Sequence, residues 1–166
     1  NRFISERVNQ IRNWNMEFVH GDILDKDLVN KYFKDADIIH HLAGITDVPR
    51  TKRESTEQQD EKIKLVGENG TQNILDAISD KCKIIFPSTH VVYEGISKVK
   101  NDIKENEKPK PILSYSSSKA INEKQLKESG KNYVILRLGS VYGYSTDTTR
   151  IDIMTNLFSK ISSQNG

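Results

Sequence analysis

Tyr115 and Lys119 stand four residues apart in Ser114-Tyr115-Ser116-Ser117-Ser118-Lys119, at the head of a stretch that reads as a helix. Four residues is just over one helical turn, so both side chains share a face and can act on one substrate atom. A phenol titrates near a pH of about 10, too high for a proton carrier at neutral pH. An ammonium beside it favours the phenolate and moves the pair toward acid–base chemistry. The same spacing occurs on many solvated helix faces, so the rest of the chain must show whether the pair has company.

The elements that would position the pair can be read in order. Phe3, Ile4, Val8, Ile11 and Trp14 recur every three or four residues and predict an amphipathic helix over residues 1–15. Glu17-Phe18-Val19-His20 reads as a short strand stopping at Gly21-Asp22. Asp25 can cap a helix through Leu28, Val29, Tyr32 and Phe33. Residues 37–44 read as a buried strand ending in the small Ala43-Gly44. Between Asp47 and Lys64 only Val48 and Ile63 are apolar, which predicts a surface loop leading into a solvated helix that continues through Gly70–Ile78. Lys83–Phe86 is the next buried strand and delivers Ser88, Thr89 and His90 at its end. Residues 97–112, with Pro109 and Pro111, read as a long loop. The Tyr115 helix stops at Gly130, Tyr133–Leu138 is a last strand ending in Gly139-Ser140, and an amphipathic segment closes the chain over residues 151–161.

Helices alternating with short apolar strands predict an α/β fold, a doubly wound parallel sheet with ligands gathered at the carboxyl ends of its strands. The four predicted ends are small or polar, as a ligand-lined rim requires. The 166 residues suffice for one domain. The net charge of +2, with no basic block, argues against nucleic acid and acidic membrane surfaces as partners. Cys82 is the single cysteine and reads as a buried residue before a strand, without a disulfide. No apolar run is long enough to span a bilayer, and a cytoplasmic location is the expectation.

With these residues in view, the chain resembles the extended short-chain dehydrogenase/reductase family, which contains nucleotide-sugar epimerases and dehydratases. The resemblance runs from Phe18 to Gly143. It implies a Rossmann-like domain over residues 1–166, an NAD cofactor (NADP being the alternative), a nucleotide-sugar substrate and a homodimer when full length. Gly21-Asp22-Ile23 resembles the segment that holds the adenine, although Asp22 alone reads equally well as a helix-capping turn. His40-His41-Leu42-Ala43-Gly44 resembles a strand end where small residues admit the cofactor's pyrophosphate and ribose. Adjacent His40 and His41 point to opposite faces of a strand, which argues against a metal. Phe86–Tyr93 resembles the segment in which Thr89 holds the reacting substrate oxygen, with Ser88 toward the cofactor and His90 toward the substrate. Tyr115 would be the acid/base, and Lys119 would lower its pKa and bond the nicotinamide ribose. Glu123, one turn on, matches a position read as structural. Ser140 and Val141 lie in the segment that passes the substrate and the nicotinamide.

The departures from the family are specific. Its Gly-x-x-Gly-x-x-Gly turn, which presents a helix N-terminus to the pyrophosphate, is absent, as is most of its substrate-binding part. The resemblance therefore implies a domain incomplete at its N-terminus, with Phe18-Val19 lacking a strand neighbour and weak binding of a dinucleotide. An inert fragment, or a non-catalytic binding module of the same fold, is the competing expectation. Members that dehydrate the sugar carry an acidic pair after the catalytic Thr; here His90 and Val91 stand there, which disfavours a 4,6-dehydratase. Gly67 and Ser140 occupy positions where an Asn is common.

Overall fold

The computed structural model describes residues 2–46, 51, 53–143 and 153–165. It divides into two compact units, Gly21–Leu138 and a smaller one joining Asn1–His20 to Gly139–Gly166.

In the larger unit the helices start where the sequence supplies acceptors. Asp25 accepts from the Leu28 N–H at 3.1 Å and opens α2 (Lys26–Phe33), satisfying one of the orphan donors of its first turn. Thr56 does the same for α3 (Glu57–Lys64), the charged helix of which only Ile63 is buried. A π-turn over Leu65–Asn69 carries the chain into α4 (Gly70–Ala77). The long α5 (Ser114–Glu128) carries Tyr115 and Lys119 and stops ahead of Gly130, as the sequence predicts. Residues 97–112 form neither helix nor strand.

Among the described residues three parallel strands make the sheet, in the order β1 (Ile38–His40), β2 (Lys83–Thr89), β3 (Asn132–Leu138). Ile39 pairs with Ile84, and Phe86 with Ile135, so their side chains share one face. That face packs on Val29 of α2, Ile74 and Leu75 of α4 and Leu126 of α5, with Cys82 buried beside them. The opposite face is open in this unit: Ile38, Val134, Leu136 and Leu138 are 38–56% exposed. Hence α2, α4 and α5 supply one helical layer of the sheet.

Two strand expectations need correction. Residues 17–20 form no strand, and Phe18 and Val19 are exposed. A strand exists only through its ladder, and no partner pairs with this segment among the described residues. The stretch 37–44 keeps only three residues in the sheet, of which just Ile39 is buried, and among the described residues β2 is its single neighbour.

Among the described residues of the smaller unit, α1 (Arg2–Asn13) and α6 (Met154–Asn165) are the helices. Val8 and Ile11 are half-buried while Trp14, beyond the end of α1, is exposed. The Gly143 N–H donates to Asn156 Oδ1 at 3.3 Å. Val48 and Ile151 lie outside the described residues.

Candidate active site

The site is built at the carboxyl end of β2, and a proline explains how. Pro87 lies inside the middle strand of the sheet, where a missing N–H normally costs a ladder bond. The Ile85 carbonyl faces β1 and accepts from the His41 N–H at 3.0 Å. Two residues on, Pro87 faces the same side, but β1 has already ended at His40. The proline therefore sacrifices nothing there. Its unpaired carbonyl is taken by Lys119 Nζ at 3.0 Å. This bond fixes the middle of α5 against the strand that ends at Thr89.

Lys119 also lies over the Phe86 ring, 4.4 Å from its centroid, and 6.0 Å from the centroid of Tyr115. Burial pulls its pKa down from the usual lysine value to about 8. Burial pushes the Tyr115 phenol up. That direction is the reverse of what a Tyr–Lys pair suggests in isolation, because here the ammonium bonds the Pro87 carbonyl and desolvation dominates the phenol.

Beneath Lys119 lies His41, 3% exposed, its ring 5.4 Å from Phe86 and its Nε2 2.9 Å from Thr71 Oγ1. Its Nδ1 has no hydrogen-bond partner among the described residues. Burial, and secondarily the charge of Lys119, lower its pKa from 6.5 to about 4. An unfolded chain binds this proton below about 6.5, so stability contributed by neutral His41 is full above that pH and lost as the pH falls through 4. His41→Gln is expected to flatten the urea-unfolding midpoint across this acid window, relative to wild type. His40, on the opposite face, is exposed, and no cluster fit to hold a metal occurs among the described residues.

The other rim residues divide. Thr89 caps the 3₁₀ turn His90–Tyr93: its Oγ1 accepts from the Val91 N–H at 3.3 Å, leaving its own proton available to donate. His90 is exposed and bonds through Nδ1 to the Leu138 carbonyl at 3.1 Å, tying the ends of β2 and β3. Ser88 is turned inward, against the expectation that it faces a cofactor, because it shares the covered face of β2 with Phe86. Its hydroxyl donates to Glu123 Oε1 at 2.7 Å. Glu123 in turn holds Arg137, Oε1 accepting from Nε at 2.9 Å and Oε2 from Nη2 at 2.6 Å. Arg137 Nη1 continues to the Tyr93 hydroxyl and the Glu105 carbonyl.

Around the adenine-like segment, Asp22 Oδ1 accepts from the Leu24 N–H at 2.9 Å in a local turn, while the helix cap itself is Asp25. Ile23 is held by Asn73 Nδ2, which donates to its carbonyl at 3.0 Å. Leu42 is 73% exposed, Ala43 and Gly44 are exposed too, and a Cβ on Gly44 would meet nothing within 4 Å. Leu42–Gly44 thus form an open strand end, and Lys119 stands over the end of the neighbouring strand β2. Gly67 lies against Ser118, the residue before Lys119, so closely that a Cβ would collide with its hydroxyl. Its carbonyl accepts from Asn122 Nδ2 at 3.0 Å. An Asn at position 67 would require the Ser118 hydroxyl to move. Ser140 and Val141 are exposed and belong to the smaller unit.

Sequence reading missed Glu94, whose carboxylate accepts from the Ile112 and Leu113 N–H groups at 2.7 Å each, and from the Ser116 hydroxyl. The available signal was indirect: the residue ahead of α5 is Leu113, which has no oxygen to cap with.

The sequence model of the Epimerase family, described as NAD dependent epimerase/dehydratase, matches residues 2–165. A CDP-paratose 2-epimerase of Salmonella typhi is 37% identical over 93 residues, 52% of this chain and 25% of that protein. A dTDP-D-glucose 4,6-dehydratase of Dictyostelium discoideum is 29% identical over 150 residues, 80% of this chain and 33% of that protein. The solved UDP-glucose 4-epimerase of Brucella ovis, in complex with NAD, is similar with a TM-score of 0.63 and 30% identity, covering 78% of this chain and 40% of its own. The chain spans less than half the length of the curated relatives it matches.

Proposed function

Because the chain belongs to the NAD dependent epimerase/dehydratase family, we propose that the intact protein is an NAD-dependent epimerase or oxidoreductase acting on a hydroxyl or carbonyl of a nucleotide sugar. The observation that carries this reading is the Lys119–Pro87 bond, which seats the Tyr115 helix on the strand ending in Thr89. In this reading Tyr115 takes the proton of the sugar hydroxyl, and the Thr89 hydroxyl donates a hydrogen bond to the same oxygen. Lys119, with its pKa near 8, carries its charge at neutral pH and stabilises the phenolate as it forms. NAD, when bound, supplies the hydride acceptor. Asp22 and Ile23 would hold its adenine, Leu42–Gly44 its ribose and pyrophosphate, and Lys119 the nicotinamide ribose.

His90 and Val91 leave no carboxylate after Thr89 to assist loss of water, which favours an epimerase or oxidoreductase over a 4,6-dehydratase. The test is NMR of the product formed by the intact enzyme from UDP-, CDP- and dTDP-sugars. An epimer or a simple keto sugar is the expected outcome; a 4-keto-6-deoxy sugar would overturn this preference.

A further inference from the structure

An α-helix that opens without a side-chain cap leaves N–H donors of its first turn to be satisfied from elsewhere. The helix carrying Tyr115 is of this kind, since Leu113 precedes it. The approach to the helix, at Ile112 and Leu113, is held instead by an acceptor from across the loop 97–112. Glu94 Oε1 takes the Ile112 and Leu113 N–H groups at 2.7 Å each and the hydroxyl of Ser116, the residue after Tyr115. Burial opposes ionisation of Glu94, but bonds from Ser116, Leu113 and Ile112 together outweigh it and hold its pKa below the usual carboxylate value. A carboxylate at this end of a helix is also favoured by the aligned peptide dipoles.

The same carboxylate belongs to the turn that Thr89 starts. Thr89 Oγ1 holds the Val91 N–H, and the Glu94 N–H donates to the Val91 carbonyl at 3.1 Å. A second set of bonds clips this turn to the approach to α5: Lys110 N–H to the Val92 carbonyl and Gly95 N–H to the Lys110 carbonyl, both 2.8 Å. The approach is so close that a Cβ on residue 95 would sit 2.5 Å from the Lys110 carbonyl, which is why a glycine stands there. The turn begun by Thr89 and the approach to the Tyr115 helix are thus joined in two places, and of these two Glu94 is the one that reaches the helix itself.

We propose that Glu94 is a positioning residue for the reaction, a clamp that sets the N-terminus of α5, and with it Tyr115, against the turn that begins at Thr89. It touches neither substrate nor cofactor; it acts through Leu113 and Ser116. The proposal rests on the reading of Tyr115 and Thr89 as catalytic.

The test compares Glu94→Ala and Glu94→Gln with wild type in the intact enzyme, by turnover and by backbone hydrogen exchange. Glu94→Ala is expected to speed exchange at the Ile112 and Leu113 amides about tenfold or more. It should lower kcat about ten- to a hundredfold, because small displacements of a reacting group are that costly, while KM for NAD stays within about threefold. Glu94→Gln keeps an acceptor oxygen in place and should recover most of kcat, which mere loss of stability would not discriminate. Should the Ala variant fold too poorly to assay, Ser116→Ala, which removes one bond of the clamp, must show the same pairing of faster exchange and lower kcat. Unchanged exchange would overturn the clamp, and faster exchange with unchanged kcat would overturn its part in the reaction. Absence of turnover in the wild-type enzyme on every nucleotide sugar would instead count against the proposed function, and the exchange result would still decide the clamp.

Discussion

Tyr115→Phe in the intact enzyme should lower kcat about 10²–10⁴-fold, the usual contribution of a positioned acid–base group. The substitution removes one oxygen and leaves the ring that lies 6.0 Å from Lys119 Nζ. Lys119 is anchored on the Pro87 carbonyl independently of the phenol, so α5 keeps its place on β2. NAD affinity and the unfolding midpoint are therefore expected to stay near wild type while turnover collapses. Steady-state kinetics and a binding titration on the same preparation check this. A variant that keeps turnover within a few-fold of wild type would remove Tyr115 from the reaction.

The second large effect is on stability. Glu123 is 1% exposed and accepts from Ser88 and twice from Arg137, with Lys127 Nζ a further 3.5 Å away. Removing one partner of a buried ion pair leaves the other charge desolvated and unpaired, at a cost of about 3–5 kcal/mol. Glu123→Ala should therefore lower the free energy of unfolding by about this amount in urea titrations. Arg137 also holds Tyr93 and the Glu105 carbonyl, so the loss should extend to the turn after Thr89 and to the loop that follows it. The acid sign is defined as well. Burial alone would raise the Glu123 pKa, but Arg137 and Ser88 outweigh it and hold it below the usual carboxylate value. Its stabilisation is present above that usual value and disappears as the pH falls through the lowered one, and Glu123→Ala should abolish this part of the acid sensitivity. An Ala variant within about 1 kcal/mol of wild type would show that the network contributes little.

Much of this arrangement was legible in the sequence because its signals are local. Asp25 as a cap, Gly130 as a stop and the apolar run before Ser88-Thr89 act within a few residues, and each forms as read. The Tyr115–Lys119 spacing placed both on one helix for the same reason. What the sequence concealed depends on partners far along the chain. Residues 17–20 have the composition of a strand but no ladder. Ser88 looked like a rim residue, yet strand alternation turns it inward to Glu123, 35 residues away. Glu94 has no local motif at all; its donors lie 18 to 22 residues on. The direction of the Tyr115 pKa was hidden too, since it follows from burial and from where Lys119 Nζ finds its acceptor, not from spacing.

The central proposal is that Tyr115, aided by Thr89 and Lys119, takes the proton of a sugar hydroxyl as a hydride leaves the carbon that bears it. The most direct measurement follows deuterium placed on that carbon of a nucleotide sugar that the intact enzyme converts. The account predicts a slower turnover than with the unlabelled sugar and deuterium recovered on NAD or returned to the sugar, with none lost to water. Conversion that washes the label into solvent, or that proceeds with the carbon–deuterium bond intact, would contradict it.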